Sequence, residues 1–186
     1  MDIRMMLPDP ASASPGPYNQ VVSVEQHRKT ARASVRCGVI TISDTRTAAT
    51  DTSGDAIAAM LVEHGHEVLS RALVKDDPAA VRAVIGERLP SVQVLVATGG
   101  TGITSRDSTY DAIAGLHETH LDGFGELGRR LSFQEIGSAA MLSRACAGTI
   151  GRTAVFSVPG SEHAVRLAMT RLILPEIGHV VRELER

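Results

Sequence analysis

At 186 residues, 43% of them apolar, the chain is long enough for one domain with a sizeable buried core. Nineteen Lys and Arg against 21 Asp and Glu leave a formal net charge of −2, which excludes a nucleic-acid coat driven by net positive charge. Aromatics at 3%, with no Trp, argue against a stacking platform for single strands, and no apolar run reaches the ~18 residues that span a bilayer.

Residues 1–34 differ from the rest and read as an N-terminal extension. Met1 to Pro17 is rich in Pro, Ser and Ala, lacks the apolar stretch of a secretory signal, and reads as a disordered tail. His27, Arg28, Lys29 and Arg32 follow, on a solvated linker or on an arm that docks against a partner subunit. From Val35 to the C-terminus the pattern is that of one domain. Val35 to Ser43 is a β-branched run of strand length. Thr52-Ser53 opens a helix with Ile57, Met60 and Leu61 at helical spacing, closed by Gly65. Glu67 to Val74 predicts a second strand, and Asp77-Pro78 a second helix with Asp77 as its cap, ended by Pro90. Val92 to Thr98 is apolar almost throughout, as a strand buried on both faces should be. A helix is expected from near Ser108, and another over Gly125 to Ile136 with Leu127, Leu131 and Phe133 inward. A strand pair is expected around Gly148 and Gly151, a last strand over Thr153 to Val158, a helix from Glu162 to Leu174, and, after an interruption at Pro175, a final one from Glu176 to Leu184.

Strands alternating with helices predict an α/β fold, a three-layer α/β/α arrangement around a mostly parallel sheet. Ligands bind such sheets at the C-terminal strand ends. The loops to inspect are therefore Ser43 to Gly54, Lys75 to Asp77, Gly99 to Asp107, and Pro159 to Ser161.

The strongest local signal is Gly99-Gly100-Thr101-Gly102, directly after the third strand. Its glycines permit φ > 0 and close approach of backbone to a ligand, and successive amides there can form an anion nest; a tight turn is the simpler alternative. No Gly-Lys-Ser/Thr follows, so this is not a Walker A loop, and the third glycine of a dinucleotide fingerprint is absent. Asp107 sits at a predicted helix start and taken alone reads as a cap. Asp76 ends another strand on the same sheet edge. Two carboxylates converging beside a phosphate nest form what Mg2+ requires. Asp44 and Asp51 flank the first strand-end loop, to cap or to orient a substrate. His117 and His120 fall on a polar stretch, no His faces a nucleophile, and a hydrolytic triad is unsupported. Cys37 and Cys146 read as reduced core thiols, which suits the cytoplasm.

Thr41-Ile42-Ser43-Asp44, Asp51-Thr52-Ser53-Gly54, Gly99-Gly100-Thr101-Gly102 with Arg106-Asp107, Gly123-Phe124-Gly125-Glu126, Ser143-Arg144 and Pro159-Gly160-Ser161 occur in this order. The set resembles the MoaB/MogA family of molybdenum cofactor biosynthesis, related to the G domain of gephyrin, over about Val35 to Leu184. Leu131 to Gly137 looks more like the MoaB branch. The resemblance implies a molybdopterin adenylyltransferase that uses Mg2+ and ATP; a non-catalytic molybdopterin carrier is the alternative. It implies Asp76 and Asp107 as the catalytic and metal-holding carboxylates. Ser43, Asp44, Asp51, Gly99, Gly100, Thr101, Gly102, Glu126, Ser143, Pro159, Gly160 and Ser161 become the candidate substrate-binding residues. It implies a homotrimer or homohexamer, with other cofactor-assembly proteins as candidate partners and neither nucleic acid nor membrane. Phe124, between two glycines, looks exposed and better buried by a neighbouring subunit, or else folded back on its own core. Three departures from the family pattern stand out: Tyr110 and Asp122 in place of Pro, and Glu162-His163 after the Pro-Gly-Ser.

Overall fold

A computed structural model describes residues 31–103 and 109–186. The N-terminal extension lies outside the described residues except for 31–34, and so do Arg106, Asp107 and Ser108. Six strands form one sheet: β1 (Arg36–Ile42), β2 (Glu67–Val74), β3 (Val94–Thr98), β4 (Thr119–His120), β5 (Cys146–Ile150) and β6 (Thr153–Val158), in the order β2-β1-β3-β6-β5-β4. β1 pairs in parallel with β2 and β3, and β3 with β6. β5 runs antiparallel to β6, and β4 antiparallel to β5. The expected mostly parallel sheet is present, with an antiparallel hairpin at one side.

Burial explains the assignments. β3 and β6 are buried at every residue and read as continuous apolar runs, whereas β2, at the sheet edge, alternates between exposed and half-buried positions. The helices α1 (Thr52–Glu63), α2 (Pro78–Arg88), α3 (Thr109–Ala114), α4 (Asp122–Ile136), α5 (Glu162–Ala168) and α6 (Leu174–Leu184) cover both faces. One core joins Val39, Val96 and Phe156 of the sheet to Ile57 and Leu61 of α1 and to Val165 and Ile177 of α5 and α6. The second joins Ile40, Leu95 and Val155 to Val81 and Ile85 of α2 and Ile113 of α3. The three-layer arrangement follows from these two cores. β1 sends its crossover to β2 on one side and the chain then returns to β3 on the other. The chain's direction of winding switches between β1 and β3, and a crevice forms at their C-terminal ends.

Four details differ from expectation. β4 is a strand although both its residues are exposed; it exists because Glu118 and Leu121 donate backbone hydrogen bonds to Thr149 and Ala147 on either side of it. Pro175 does not interrupt the last helix. A π-helical turn over Met169–Ile173 joins α5 to α6, and this wider turn takes up Pro175 in the first turn of α6 without breaking the helical path. On α4, Leu127 and Phe133 are exposed; for Phe133 the reason is helical geometry, since residues two apart lie about 200° apart and Leu131 and Phe133 cannot share a face. Phe124 belongs to α4 rather than to a loop and stacks edge-on against Phe156 of its own core, with ring centroids 5.3 Å apart.

Cys37 is buried and Cys146 half-buried, and both are free thiols. Burial pushes them up to about 12 and about 11, so neither is a nucleophile near neutral pH.

Candidate functional site

The glycine turn at the end of β3 is built against the end of β1. Gly99 has φ +98° and Gly100 φ +63°. A Cβ on Gly99 would lie 2.1 Å from the Ile42 carbonyl oxygen, so only glycine fits there. Gly102 does not use positive φ, contrary to the reading that groups all three glycines. The Gly99 amide is committed to the Val158 carbonyl at 3.1 Å. The amides of Gly100, Thr101 and Gly102 have no hydrogen-bond partner among the described residues. The Thr101 and Gly102 carbonyls accept from Arg144 Nε at 3.4 Å and Nη2 at 2.5 Å. Arg144 also pairs with Asp111 at 3.3 Å and lies over the Tyr110 ring. This guanidinium is part of the scaffold of the turn.

The loop after β1 folds by its own polar side chains. Ser43 Oγ accepts from the amides of Thr45 and Arg46. Asp51 is buried and caps α1, its Oδ1 accepting from the Gly54 amide at 3.0 Å while its Oδ2 accepts from Thr41 Oγ1 at 2.7 Å. Arg46 and Arg71 lie 3.5 and 3.6 Å from the same carboxylate. Gly54 is glycine because a Cβ there would sit 2.2 Å from Asp51 Oδ2.

The loop after β6 joins this assembly. Arg46 Nη2 and Ser53 Oγ both donate to the Gly160 carbonyl, at 2.7 and 2.8 Å. Thr98 Oγ1 donates to the Pro159 carbonyl at 3.0 Å, and a Cβ on Gly160 would come within 3.3 Å of Gly99 Cα. Ser161 caps α5 through the Ala164 amide. Ser143 lines a small cavity with Pro159, Phe124 and Ala145.

Asp76 follows β2. Its amide donates to Asp44 Oδ1 at 3.1 Å, its Oδ1 accepts from Thr109 Oγ1, and the residue is half-buried. Asp77 beside it caps α2, as predicted. The structure thus brings Ser43, Asp44, Asp51, Asp76, Gly99, Gly100 and Pro159 to Ser161 to one sheet edge through direct contacts. Glu126 stands exposed on α4 with no polar contact that ties it to these loops among the described residues. Asp107 lies outside the described residues. Asp122 is exposed in the first turn of α4, where a negative charge suits the helix dipole. Sequence reasoning missed Arg46, Thr41 and Thr109. Thr and Arg are common surface residues, and nothing local in the sequence signals the contacts these three make with distant loops.

The edge can receive an anionic group on three amides that have no partner among the described residues, beside a carboxylate that can take a cation. Among the described residues, no three His, Cys, Asp or Glu side chains form a metal cage. Mg2+ asks for less, one or two carboxylates with substrate phosphates and water, and the Asp76 carboxylate fits that demand.

The model of the probable molybdopterin binding domain matches residues 38–179. Molybdenum cofactor biosynthesis protein B of Bacillus cereus is 51% identical over 168 residues, covering 89% of this chain and 99% of that protein. The protein of the same name from Bacillus subtilis is 49% identical over the same span. Among solved structures, a molybdenum cofactor biosynthesis protein B superposes with a TM-score of 0.80 at 52% identity, covering 82% of this chain and 97% of that one. The tungsten cofactor synthesizing protein MoaB from Pyrococcus furiosus superposes with a TM-score of 0.76 at 37% identity, covering 84% of this chain and all of that one.

Proposed function

The chain belongs to the family of molybdopterin-binding domains of molybdenum cofactor biosynthesis, and from that premise we propose that it transfers the adenylyl group of ATP to molybdopterin. The observation that carries the reading is the meeting of the Gly99–Gly100 turn and Asp76 at one sheet edge. In the proposed reaction a phosphate oxygen of molybdopterin forms a bond to the α-phosphorus of ATP. The bond from that phosphorus to the oxygen bridging to the β-phosphate breaks, and pyrophosphate leaves. The attacking oxygen is already anionic, so no general base is needed. The amides of Gly100, Thr101 and Gly102 receive phosphate oxygens. Arg46 and Ser53, through the Gly160 carbonyl, hold the β6 loop against the turn. Asp76 and, on the family pattern, Asp107 would hold Mg2+, which when bound would neutralise phosphate charge.

Asp76 beside the glycine turn, with Asp107 as the second carboxylate of the family pattern, favours chemistry over carriage, since negative charge opposes a phosphate unless a cation bridges them. The test is pyrophosphate release from ATP by the purified chain with molybdopterin and Mg2+. Release in step with adenylyl-molybdopterin is expected. Molybdopterin binding without release would make the protein a carrier.

The same reading includes self-association as a trimer or a pair of trimers. Its ground is no longer Phe124 but Phe133 and Ile136 at the end of α4 and Met141 and Leu142 just after it, all exposed and apolar. Light scattering on the full chain should give a mass of three or six copies. Phe133→Glu should lower that mass, because a buried charge at the contact is costly.

A further inference from the structure

Asp76 is gripped at two points. Asp44 holds its backbone amide, and the Thr109 hydroxyl donates to its Oδ1. Thr109 opens α3 and has no solvent exposure. A hydroxyl buried that deeply needs a partner, and among the described residues Asp76 is the one it has. The glycine turn makes room for this contact: a Cβ on Gly100 would lie 2.9 Å from Thr109 Cβ. Thr109 therefore touches both the turn that offers amides to a phosphate and the carboxylate that faces it. The hydroxyl proton is spent on Oδ1. Asp76 Oδ2 has no partner among the described residues.

We infer that Thr109 is a positioning residue for Asp76, holding the carboxylate so that a single oxygen, Oδ2, is presented to a phosphate-bound divalent cation. The inference rests on Asp76 as a cation-holding carboxylate, not on which group the nucleotide is transferred to. Thr109 touches no substrate in this arrangement. It acts through Asp76, as the outer-shell partners of metal ligands do, and their loss typically weakens metal binding about 10- to 100-fold.

The test uses the full chain and the complex of Mn2+ with α,β-methylene-ATP, whose binding is read by water-proton relaxation. Thr109→Val keeps the shape and removes the hydroxyl, and should weaken binding of the complex about tenfold. Thr109→Ser keeps the hydroxyl and should bind like the wild type even if it melts at a lower temperature. In an Asp76→Asn background, Thr109→Val should add no further loss. A folded Thr109→Val chain with wild-type affinity overturns the assignment. So does a Thr109→Ser chain as weak as Thr109→Val, an additive loss in the double variant, or a wild-type chain that does not bind the complex. A wild-type chain that binds the complex but releases no pyrophosphate with molybdopterin overturns the adenylyl transfer and leaves the role of Thr109 standing.

Discussion

Two acidic loops leave the same edge of the sheet, and they use their carboxylates in opposite ways. In the loop after β1, Asp51 is 5% exposed and both of its oxygens are taken up by the fold, one by the Gly54 amide and one by Thr41. In the loop after β2, Asp76 is half-buried, and among the described residues only its Oδ1 is engaged. The first carboxylate organises the site from within. The second keeps valence free for a ligand. An acidic residue at the ligand-binding edge of an α/β sheet is thus no evidence of chemistry until its oxygens are accounted for.

The sharpest way to break this contrast is to neutralise Asp76. Asp76→Asn should lower adenylyl transfer about 1,000-fold, roughly 4 kcal/mol of transition-state stabilisation, while leaving the melting temperature nearly unchanged. Wild-type turnover would move Asp76 into the same class as Asp51. Next in size is Gly99→Ala, which drives a Cβ into the Ile42 carbonyl at a left-handed backbone position. It should cost roughly 3 kcal/mol of stability, read by chemical denaturation, because both strain and overlap oppose it. A stable variant would mean that the β1 and β3 ends are not locked together.

Asp51→Ala should reverse the pattern of Asp76→Asn. It removes the α1 cap and strands the Thr41 hydroxyl, so stability should fall by about 2 kcal/mol. Turnover per folded molecule should change far less than for Asp76→Asn, and a loss as large would show that Asp51 also meets substrate. The smallest expected effect is a pH dependence that belongs to neither loop. His117 is buried, neither ring nitrogen has a partner among the described residues, and burial followed by the nearby His120 lowers it from the ordinary imidazole value of 6.5. The folded state favours the neutral ring. Its contribution to stability is therefore complete above pH 6.5 and is lost as pH falls below that value, where the unfolded chain takes up the proton first. Burial and His64 lower His66 as well, with the same sign. Melting temperature should rise between about pH 5 and 7, and His117→Leu should flatten part of that slope. An unchanged slope would place the dependence on His66 or on carboxylates.

Much of the framework is legible locally. β2 and β6 have the bounds that their residues predict, and Asp77-Pro78 starts α2 because a cap and a first-turn proline act within one helical turn. The short edge strand β4 is not legible, because its two exposed residues are a strand only by virtue of β5 beside them. Phe124 is misread for a related reason. Flanking glycines suggest a loop, but burial against Phe156 outweighs their weak helix propensity. The outward turn of Phe133 was available from helical geometry alone.

By itself the sequence determined the alternation of strands and helices, and with it the sheet edge at which folds of this class bind ligands, because hydrophobic periodicity and caps are short-range properties. It also determined where the backbone needs glycine, as at Gly99. Only the tertiary structure decided which carboxylate stays open. Asp51 caps its own helix locally, but its second oxygen is consumed by Thr41 from β1, and Asp76 is held by Thr109, 33 residues further along the chain. Hydrogen bonds between residues so far apart depend on how the strands are ordered in the sheet, and no local pattern of residues encodes that order.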